Sequence, residues 1–335
     1  MVPIITFVSV FILNIFTLYA YYNSKTLGVQ DIPNERSMHK KTTKKSAGVV
    51  FVIITIFSML FLKFFLNVEI KYFYPLLLGI GFTSTLGLFD DIYKLSSVFR
   101  FVTELVFFFF LGYFFLPEFQ ILGLNLFQNQ LFNYAILSVY FVFIINITNF
   151  MDGIDMYLSL ILFVVIINFS MISSYFLLQE YTFYILSVGI LAFLFFNSPP
   201  AKLFMGDSGS LPLGFLIAIL PFFHSKPTVE IAEIGFLVPV FLIDGISTIV
   251  KRIFHKKNIF LAHREHLYQR ISDSIFTKKQ TAIIFSLFNL GGGIIYFLFY
   301  NKSVNFVLLL TGNLVLYQSL YFYLNKKCRL EKKGK

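Results

Sequence analysis

Long apolar runs alternate with short polar segments from one end of the chain to the other. Each run is about twenty residues long, the length that an α-helix needs to cross the hydrocarbon core of a bilayer. The pattern predicts an all-α integral membrane protein, a polytopic bundle of about 11 transmembrane helices. The predicted spans are residues 3–22, 47–66, 72–89, 98–117, 131–148, 157–178, 183–197, 211–224, 235–254, 281–299 and 305–323. Pro212 and Pro221 predict that the eighth span is broken or tilted.

Basic residues lie almost entirely on one side of this threading. Of the 27 Lys and Arg residues, 23 fall in alternate connections and in the tail at 325–335. The positive-inside rule then places the N-terminus outside and the C-terminus in the cytoplasm.

Composition leaves little room for anything but membrane-embedded helices. The chain is 57% hydrophobic and 13% charged, whereas soluble domains carry about 25% charged residues. We therefore expect one transmembrane domain over 1–335, with its first apolar run retained as a span rather than removed as a signal peptide. The net charge of +10 comes from residues beside spans, so it indicates membrane anchoring and no nucleic-acid partner. The single cysteine, Cys328, excludes an intramolecular disulfide.

The aspartates gather on the predicted cytoplasmic side, several of them at span ends, where an uncompensated carboxylate is costly. They are Asp31, Asp90, Asp91, Asp152, Asp155, Asp207, Asp244 and Asp273. This distribution predicts a one-sided acidic site at the rim of the bundle.

Three polar motifs carry most of these carboxylates. Neighbouring residues on a helix point about 100° apart, so Asp90 and Asp91 are expected to divide their roles, one facing a metal or attacking group and the other held by a cation such as Lys94. The alternative is a hydrophilic helix end in which Asp90 pairs with Lys94. The other two motifs are Asn146-x-x-Asn149-x-x-Asp152-Gly153-x-Asp155, and Lys202-Leu-Phe-Met-Gly206-Asp207-Ser-Gly209-Ser210.

The second and third motifs each have a plain structural alternative. Asn149 or Asp152 could simply cap a helix, and the glycines around Asp207 could form an ordinary turn. The functional interpretation is that Asp207 has room for a hydrated Mg²⁺ beside diphosphate oxygens and that Lys202 neutralises phosphate charge.

Two basic segments complete the candidate site. His263-Arg264-Glu265-His266 lies in the longest basic loop and could bind diphosphate or sugar oxygens, with a zinc site or a solvated loop as alternatives. In the first loop, Asp31, Arg36 and His39 are candidates, whereas Lys40, Lys41, Lys44 and Lys45 are typical of membrane anchoring. Asp244, inside span nine, is a functional candidate or a partner for a neighbouring span.

The ordered motifs resemble those of the polyprenyl-phosphate N-acetylhexosamine-1-phosphate transferases, the glycosyltransferase family 4 superfamily that contains MraY and WecA. The resemblance covers about residues 28–272. It implies a Mg²⁺-dependent enzyme (Mn²⁺ being the alternative ion) of the bacterial inner membrane, which moves a sugar 1-phosphate from a UDP-sugar to undecaprenyl phosphate. A homodimer is also implied.

The resemblance also implies residue roles. Asp207 is the metal ligand, and Asp90 and Asp91 handle the lipid phosphate. Nucleotide-site and supporting roles fall to Asn149, Asp152 and Asp155, and recognition of sugar and diphosphate falls to His263, Arg264 and His266. The residues themselves make Lys202, Arg36, His39 and Lys94 further substrate-binding candidates.

The His-Arg-x-His-x-Tyr-Gln form of the basic loop is more similar to initiators of surface polysaccharides such as O-antigen than to MraY. Met156 and Tyr157, after Asp155, depart from the family pattern, as do Thr42 and Thr43 in the first loop. The alternatives kept open are an MraY-like pentapeptide transferase of peptidoglycan synthesis, a multi-span transporter or flippase, and a structural membrane subunit.

Overall fold

A computed structural model describes residues 2–33, 38, 41–124, 129–172, 181–223, 229–259, 263–299 and 305–333. The helices are α1 (Val2–Asn23), α2 (Gly48–Phe64), α3 (Phe73–Tyr93), α4 (Ser97–Phe115), α5 (Gln130–Phe150), α6 (Tyr157–Ile172), α7 (Tyr181–Asn197), α8 (Asp207–Ile219), α9 (Ile234–Leu237), α10 (Pro239–Phe254), α11 (Leu267–Ser274), α12 (Lys278–Phe299) and α13 (Phe306–Lys333). Two small strand pairs complete the structure: β1 (Val29–Asp31) runs antiparallel to β2 (Thr43–Lys45), and β3 (Phe119–Gln120) runs parallel to β4 (Val229–Glu230).

A helix occupies each of the predicted spans. Within the described residues, six helices are long and apolar enough to cross a membrane, or seven if the bent α9–α10 pair counts as one span. Helices α2, α6, α7 and α8 are apolar but shorter. The chain is a helical, polytopic protein, while the count of 11 spans and the orientation of the termini stay predictions. Helix α13 also continues to Lys333, so most of the predicted basic tail is helical.

Helix α8 forms the centre of the bundle, and every residue from Ser208 to Ile219 is buried. Its neighbours are α3, α5 and α2. Phe215 stacks on Phe108 and Phe141, with ring centroids 5.7 and 5.8 Å away. Gly48 packs closely against Gly209: a Cβ added to Gly48 would lie 2.3 Å from the Cα of Gly209. This close approach fixes the end of α8 that carries Asp207.

The eighth span is not broken at Pro212, but its α-helix ends at Ile219 and a short 3₁₀ helix, Leu220–Phe223, follows with Pro221. Helix α8 continues through Pro212. A proline cannot donate the bond that the carbonyl four residues earlier would accept, and the Ser84 hydroxyl donates to that carbonyl, Ser208 O, at 2.9 Å instead.

The sharp break lies between α9 and α10, which meet at 98°. Pro239 begins α10 and lacks a backbone donor. The carbonyl of Leu237, just before the break, accepts from the side-chain amides of Asn289 at 2.9 Å and Asn168 at 3.4 Å. Neighbouring helices thus satisfy a backbone group that the break releases, as a membrane interior requires.

Candidate active site

The first and third motifs meet where α3 ends and α8 begins. Asp91 is 3% exposed. Its carboxylate accepts hydrogen bonds from the backbone N–H groups of Asp207 and Ser208, both at 3.2 Å. Lys45 of β2 adds an ion pair at 3.2 Å. Asp91 therefore caps the N-terminus of α8, where unpaired donors and the helix dipole favour a negative charge.

Asp90 and Asp207 share one cation, Arg100, near the start of α4. Arg100 Nη1 lies 3.1 Å from Asp90 Oδ2 and 2.6 Å from Asp207 Oδ2. The side chains of Asp90 and Asp207 keep 19% and 24% of their surface exposed. The two neighbouring aspartates therefore differ in exposure: Asp91 is buried inside the fold, whereas Asp90 is partly exposed. Lys45 and Arg100 pair with them, whereas Lys94, the cation expected from the sequence, is exposed at the end of α3.

The end of α5 brings the second motif against the same cluster. Asn149 Nδ2 lies 3.4 Å from Asp207 Oδ2, and its Oδ1 accepts from the Ser210 hydroxyl at 2.7 Å. Asn146 accepts from Arg100 at 3.4 Å and donates to Glu104 at 2.7 Å. These contacts hold Asp207 and Arg100 against the end of α5.

Asp152 and Asp155 lie in the connection between α5 and α6. Burial raises the pKa of Asp152 well above its usual range, and the charges of Asp207, Asp91 and Asp155 raise it further. Asp155 pairs with Lys278 at 2.9 Å and accepts from the backbone N–H of Ala201 at 3.3 Å. Asp155 thus connects the second and third motifs to α12, while Asp152 lies in the electrostatic field of the acidic cluster.

The remaining candidates of the third motif and of the first loop are distributed differently. Lys202 is exposed beside the loop that leads to Asp207. Arg36 and His39 lie outside the described residues. Lys44, assigned to membrane anchoring from the sequence, is buried, and its Nζ donates to the carbonyls of Tyr21, Tyr22 and Ser24 at the end of α1.

The basic loop is held by Asp244, a buried carboxylate of α10. Asp244 is 2% exposed and accepts from the backbone N–H groups of Leu267 at 2.8 Å and Tyr268 at 3.1 Å. The Thr248 hydroxyl donates to it at 3.2 Å. Asp244 therefore caps α11 as Asp91 caps α8, and it fixes the segment that follows His263–His266.

The two histidines stack on each other with ring centroids 5.0 Å apart. His266 is buried, and its Nδ1 lies 3.6 Å from Asp244 Oδ1. Burial first, and then the charge of His266, lower the pKa of His263 to about 4. His263 is thus a neutral hydrogen-bonding group near neutral pH. Arg264 contacts the Met38 sulfur and lies 3.8 Å from Asp273.

The basic loop also packs against the second motif. The Tyr268 hydroxyl donates to the Phe150 carbonyl at 2.9 Å, and its ring stacks on Tyr157 at 4.4 Å. A Cβ on Gly153 would lie 2.2 Å from that hydroxyl oxygen. The three polar motifs and the basic loop, which are far apart in sequence, therefore form one connected region.

Replacing Asp244 with Ala would leave the N–H groups of Leu267 and Tyr268 without their acceptor. We expect a loss of about 1–3 kcal/mol in unfolding free energy and weaker binding of whatever ligand the histidines contact. Thermal unfolding and a substrate-dependence curve would measure the two effects. Asp244→Asn, which retains one acceptor oxygen, should lie between wild type and Asp244→Ala. Equal stability of all three proteins would contradict the capping role.

Two charged residues important to this site were not singled out from the sequence. Arg100 is one of the basic residues assigned only to the cytoplasmic side of the membrane, and Glu104, which is fully buried, is not among the sequence candidates. The sequence does contain a signal for both residues. An Arg and a Glu stand four residues apart inside an apolar run, and this spacing places them on one face of a helix. Charged residues inside a membrane span are costly, so such a pair indicates a functional site.

The donor set at this rim suits a divalent cation. Asp90 and Asp207 each contact Arg100 Nη1 through Oδ2, so a cation would use their second carboxylate oxygens; Mg²⁺ typically takes one or two protein carboxylates with water or phosphate completing its shell. Arg100 lies between them and makes their charges compatible. Within the described residues, no group of three His, Cys, Asp or Glu side chains forms a metal cage.

Fold and site together define a multi-pass membrane protein with a connected acidic and basic site at the helix ends. The model of glycosyl transferase family 4 matches residues 72–224. A phospho-N-acetylmuramoyl-pentapeptide-transferase of Dictyoglomus turgidum is 30% identical over 287 residues, covering 78% of this chain and 88% of that protein. A probable undecaprenyl-phosphate N-acetylglucosaminyl 1-phosphate transferase of Bacillus subtilis is 24% identical over 278 residues, covering 78% and 74%. The chain belongs to glycosyl transferase family 4, the superfamily of polyprenyl-phosphate hexosamine-1-phosphate transferases.

Proposed function

We propose that this protein transfers an N-acetylhexosamine 1-phosphate from a UDP-sugar to undecaprenyl phosphate and releases UMP, at the cytoplasmic face of the bacterial inner membrane. The observation that carries the proposal is the meeting of Asp90, Arg100 and Asp207, from α3, α4 and α8, with Asn149 beside them. The family, whose relatives are named for this reaction type, supports it.

The reaction needs two anionic reactants brought together, and the chain supplies the groups for that task. A phosphate monoester has a second pKa of about 6, so the lipid phosphate is already a competent nucleophile near neutral pH. Its oxygen attacks the sugar-bound phosphorus, the bond to the UMP oxygen breaks, and UMP leaves. Arg100 and Asp90 position the acceptor, and Asp90 accepts any residual proton. Positioning and electrostatic stabilisation then supply most of the acceleration.

In this proposal Asp207, with Asp90 beside it, holds Mg²⁺. When bound, the ion would stabilise negative charge on the diphosphate and the departing UMP. Asn149 orients the Asp207 carboxylate, and Asp91 holds the first turn of α8 in place. The stacked histidines and Arg264 bind the sugar diphosphate. Lys202, Asp152 and Asp155 remain candidates for nucleotide binding, and Lys94 for phosphate binding.

A covalent intermediate on an aspartate is the rival mechanism. It predicts exchange of labelled UMP into the UDP-sugar in the absence of lipid acceptor. Direct attack predicts no such exchange.

The pentapeptide transferase of peptidoglycan synthesis is the second candidate, since relatives bearing that name cover most of this chain. The His-Arg-x-His-x-Tyr-Gln loop, with its resemblance to the initiators of surface polysaccharides, favours the first. A purified protein should transfer radiolabelled sugar phosphate into an organic-extractable lipid, and EDTA should abolish the transfer. A panel of UDP-N-acetylhexosamines and UDP-N-acetylmuramoyl-pentapeptide separates the two candidates. No transfer from any donor would refute the assignment.

A further inference from the structure

Glu104 is a buried acid that the proposed mechanism does not use. It lies on α4, four residues after Arg100, a spacing that places the two side chains on one face of the helix. Its side chain is fully buried. An acid inside an apolar helix is costly, so the groups that it contacts indicate what it does there.

One carboxylate oxygen of Glu104 reaches the side-chain amide of Asn146 on α5. Asn146 Nδ2 donates to Glu104 Oε2 at 2.7 Å and to the Val142 carbonyl, one turn earlier on α5, at 2.9 Å. Asn146 Oδ1 accepts from Arg100 Nη2 at 3.4 Å. Asn146 therefore lies between Glu104 and Arg100, with its donor toward the acid and its acceptor toward the guanidinium.

The two ends of the Asn146 amide are not interchangeable in this arrangement. The nitrogen of an Asn side chain only donates and its oxygen only accepts. Glu104 Oε2 and the Val142 carbonyl both accept, so they turn the nitrogen toward themselves and leave the oxygen for Arg100. An inverted amide would place its oxygen against two acceptors and its nitrogen against a guanidinium N–H group.

The orientation of Asn146 also limits the orientation of Arg100. Nη1 contacts Asp90 at 3.1 Å and Asp207 at 2.6 Å, while Nη2 of the same group contacts Asn146. A guanidinium is planar and rigid, so a bond to Nη2 restricts the direction in which Nη1 points.

We propose that Glu104 is a positioning residue, which orients the Arg100 guanidinium toward Asp90 and Asp207 by holding the Asn146 amide as a hydrogen-bond acceptor. This inference rests on the proposed function, in which Arg100 positions the lipid phosphate, and it adds the buried group that supports Arg100. Glu104 itself contacts neither reactant, and its effect on transfer passes through Asn146.

Two substitutions at residue 104 separate the length of the side chain from its charge. Glu104→Gln removes the charge and keeps an acceptor oxygen at the same distance, and its nitrogen replaces Oε1, which is buried without a hydrogen-bond partner among the described residues. Glu104→Asp keeps the charge and is shorter by one C–C bond, about 1.5 Å, which withdraws the acceptor from Asn146.

The readout is kcat/KM for undecaprenyl phosphate, measured with a UDP-sugar that supports wild-type transfer. We expect Glu104→Gln to stay within about threefold of wild type and Glu104→Asp to fall by about tenfold, because a small misplacement of a positioning group lowers the rate strongly. The reverse order would overturn the proposal, since it would assign the effect to the charge of Glu104. Equal values for the two variants would overturn it as well.

Asn146→Leu tests whether Glu104 acts through Asn146, because leucine has neither the donor for Glu104 nor the acceptor for Arg100. In this background Glu104→Gln and Glu104→Asp should differ by less than about twofold, as expected when the residue that couples two sites is absent. A difference as large as in the wild-type background would overturn the proposal, because Glu104 would then act on Arg100 directly.

Glu233 is a matched control for the two substitutions. It is a second buried glutamate, 2% exposed, and its Oε1 accepts from the Tyr296 hydroxyl at 3.1 Å. Helix α12 begins at Lys278, beside Asp155, and Tyr296 lies about 27 Å further along it. Glu233→Gln and Glu233→Asp should therefore leave kcat/KM of the folded protein unchanged. A tenfold loss in Glu233→Asp would attribute the loss in Glu104→Asp to general damage and overturn the proposal.

Wild-type protein that transfers no sugar phosphate to undecaprenyl phosphate would instead contradict the proposed function. An active wild type with the wrong order of the Glu104 variants contradicts only the positioning role. The two failures are thus distinguishable.

Discussion

Replacing Asp207 with Asn is expected to lower sugar-phosphate transfer by several orders of magnitude while the protein stays folded. The substitution keeps the shape of the side chain but removes the charge that faces Arg100 at 2.6 Å and that would bind Mg²⁺. The fold should survive because Asp91 bonds the backbone N–H of residue 207, which Asn also provides. Initial rates measured over a range of Mg²⁺ concentrations would check the prediction.

Asp273→Asn is the control for this experiment. Asp273 is an exposed aspartate in the same basic region, 3.8 Å from Arg264. Exposed pairs contribute about 0–1 kcal/mol, so its loss should change turnover little. Near-normal turnover by Asp207→Asn would contradict the assignment of Asp207 as metal ligand.

Replacing Arg100 with Met is expected to damage both activity and stability. Asp90 and Asp207 would lose their shared cation, and Asn146 would lose a donor. Removing one partner of a buried ion pair costs about 3–5 kcal/mol, and the partial exposure of these carboxylates places the expected loss at about the lower end. Transfer should fall by about 10²-fold or more, since acceptor positioning is lost as well.

Cys328 provides a convenient readout of stability. It is the only cysteine of the chain and is buried between α13 and α11, so its reaction with a fluorescent maleimide reports unfolding on heating. Arg100→Lys keeps the charge without the planar fork and should recover stability better than activity. Lys279→Met, which removes an exposed cation from the first turn of α12, should leave the unfolding temperature unchanged. If Arg100→Met matched Lys279→Met in both measurements, Arg100 would have no role in the site.

Much of the helical arrangement could be predicted because long apolar runs leave the chain little choice within a membrane. Every backbone polar group there must be bonded inside the chain, and the helix does this locally. The position of the break could not be predicted in the same way. Pro212 was expected to break or tilt its span, but α8 continues through it because Ser84 satisfies the carbonyl that Pro212 releases. That compensation comes from a different helix and is invisible in local sequence.

The candidate site could likewise be predicted only in part from the sequence. The sequence predicted that the aspartates would share one side, and the structure brings Asp90, Asp91 and Asp207 together. The sequence could not distinguish Asp90 from its neighbour, nor identify their cations. Lys45 and Arg100, which hold them, come from β2 and α4, and which cation reaches which carboxylate depends on how those elements pack.

The sequence by itself determined the helical membrane class, the motifs and the family they resemble, because hydrophobic run length and motif residues are local properties of the chain. Tertiary structure alone decided that Asp91 and Asp244 cap α8 and α11 and that Arg100 joins Asp90 to Asp207. The physical reason is that a buried charge takes its role from the groups that surround it, and those groups arrive from separate helices.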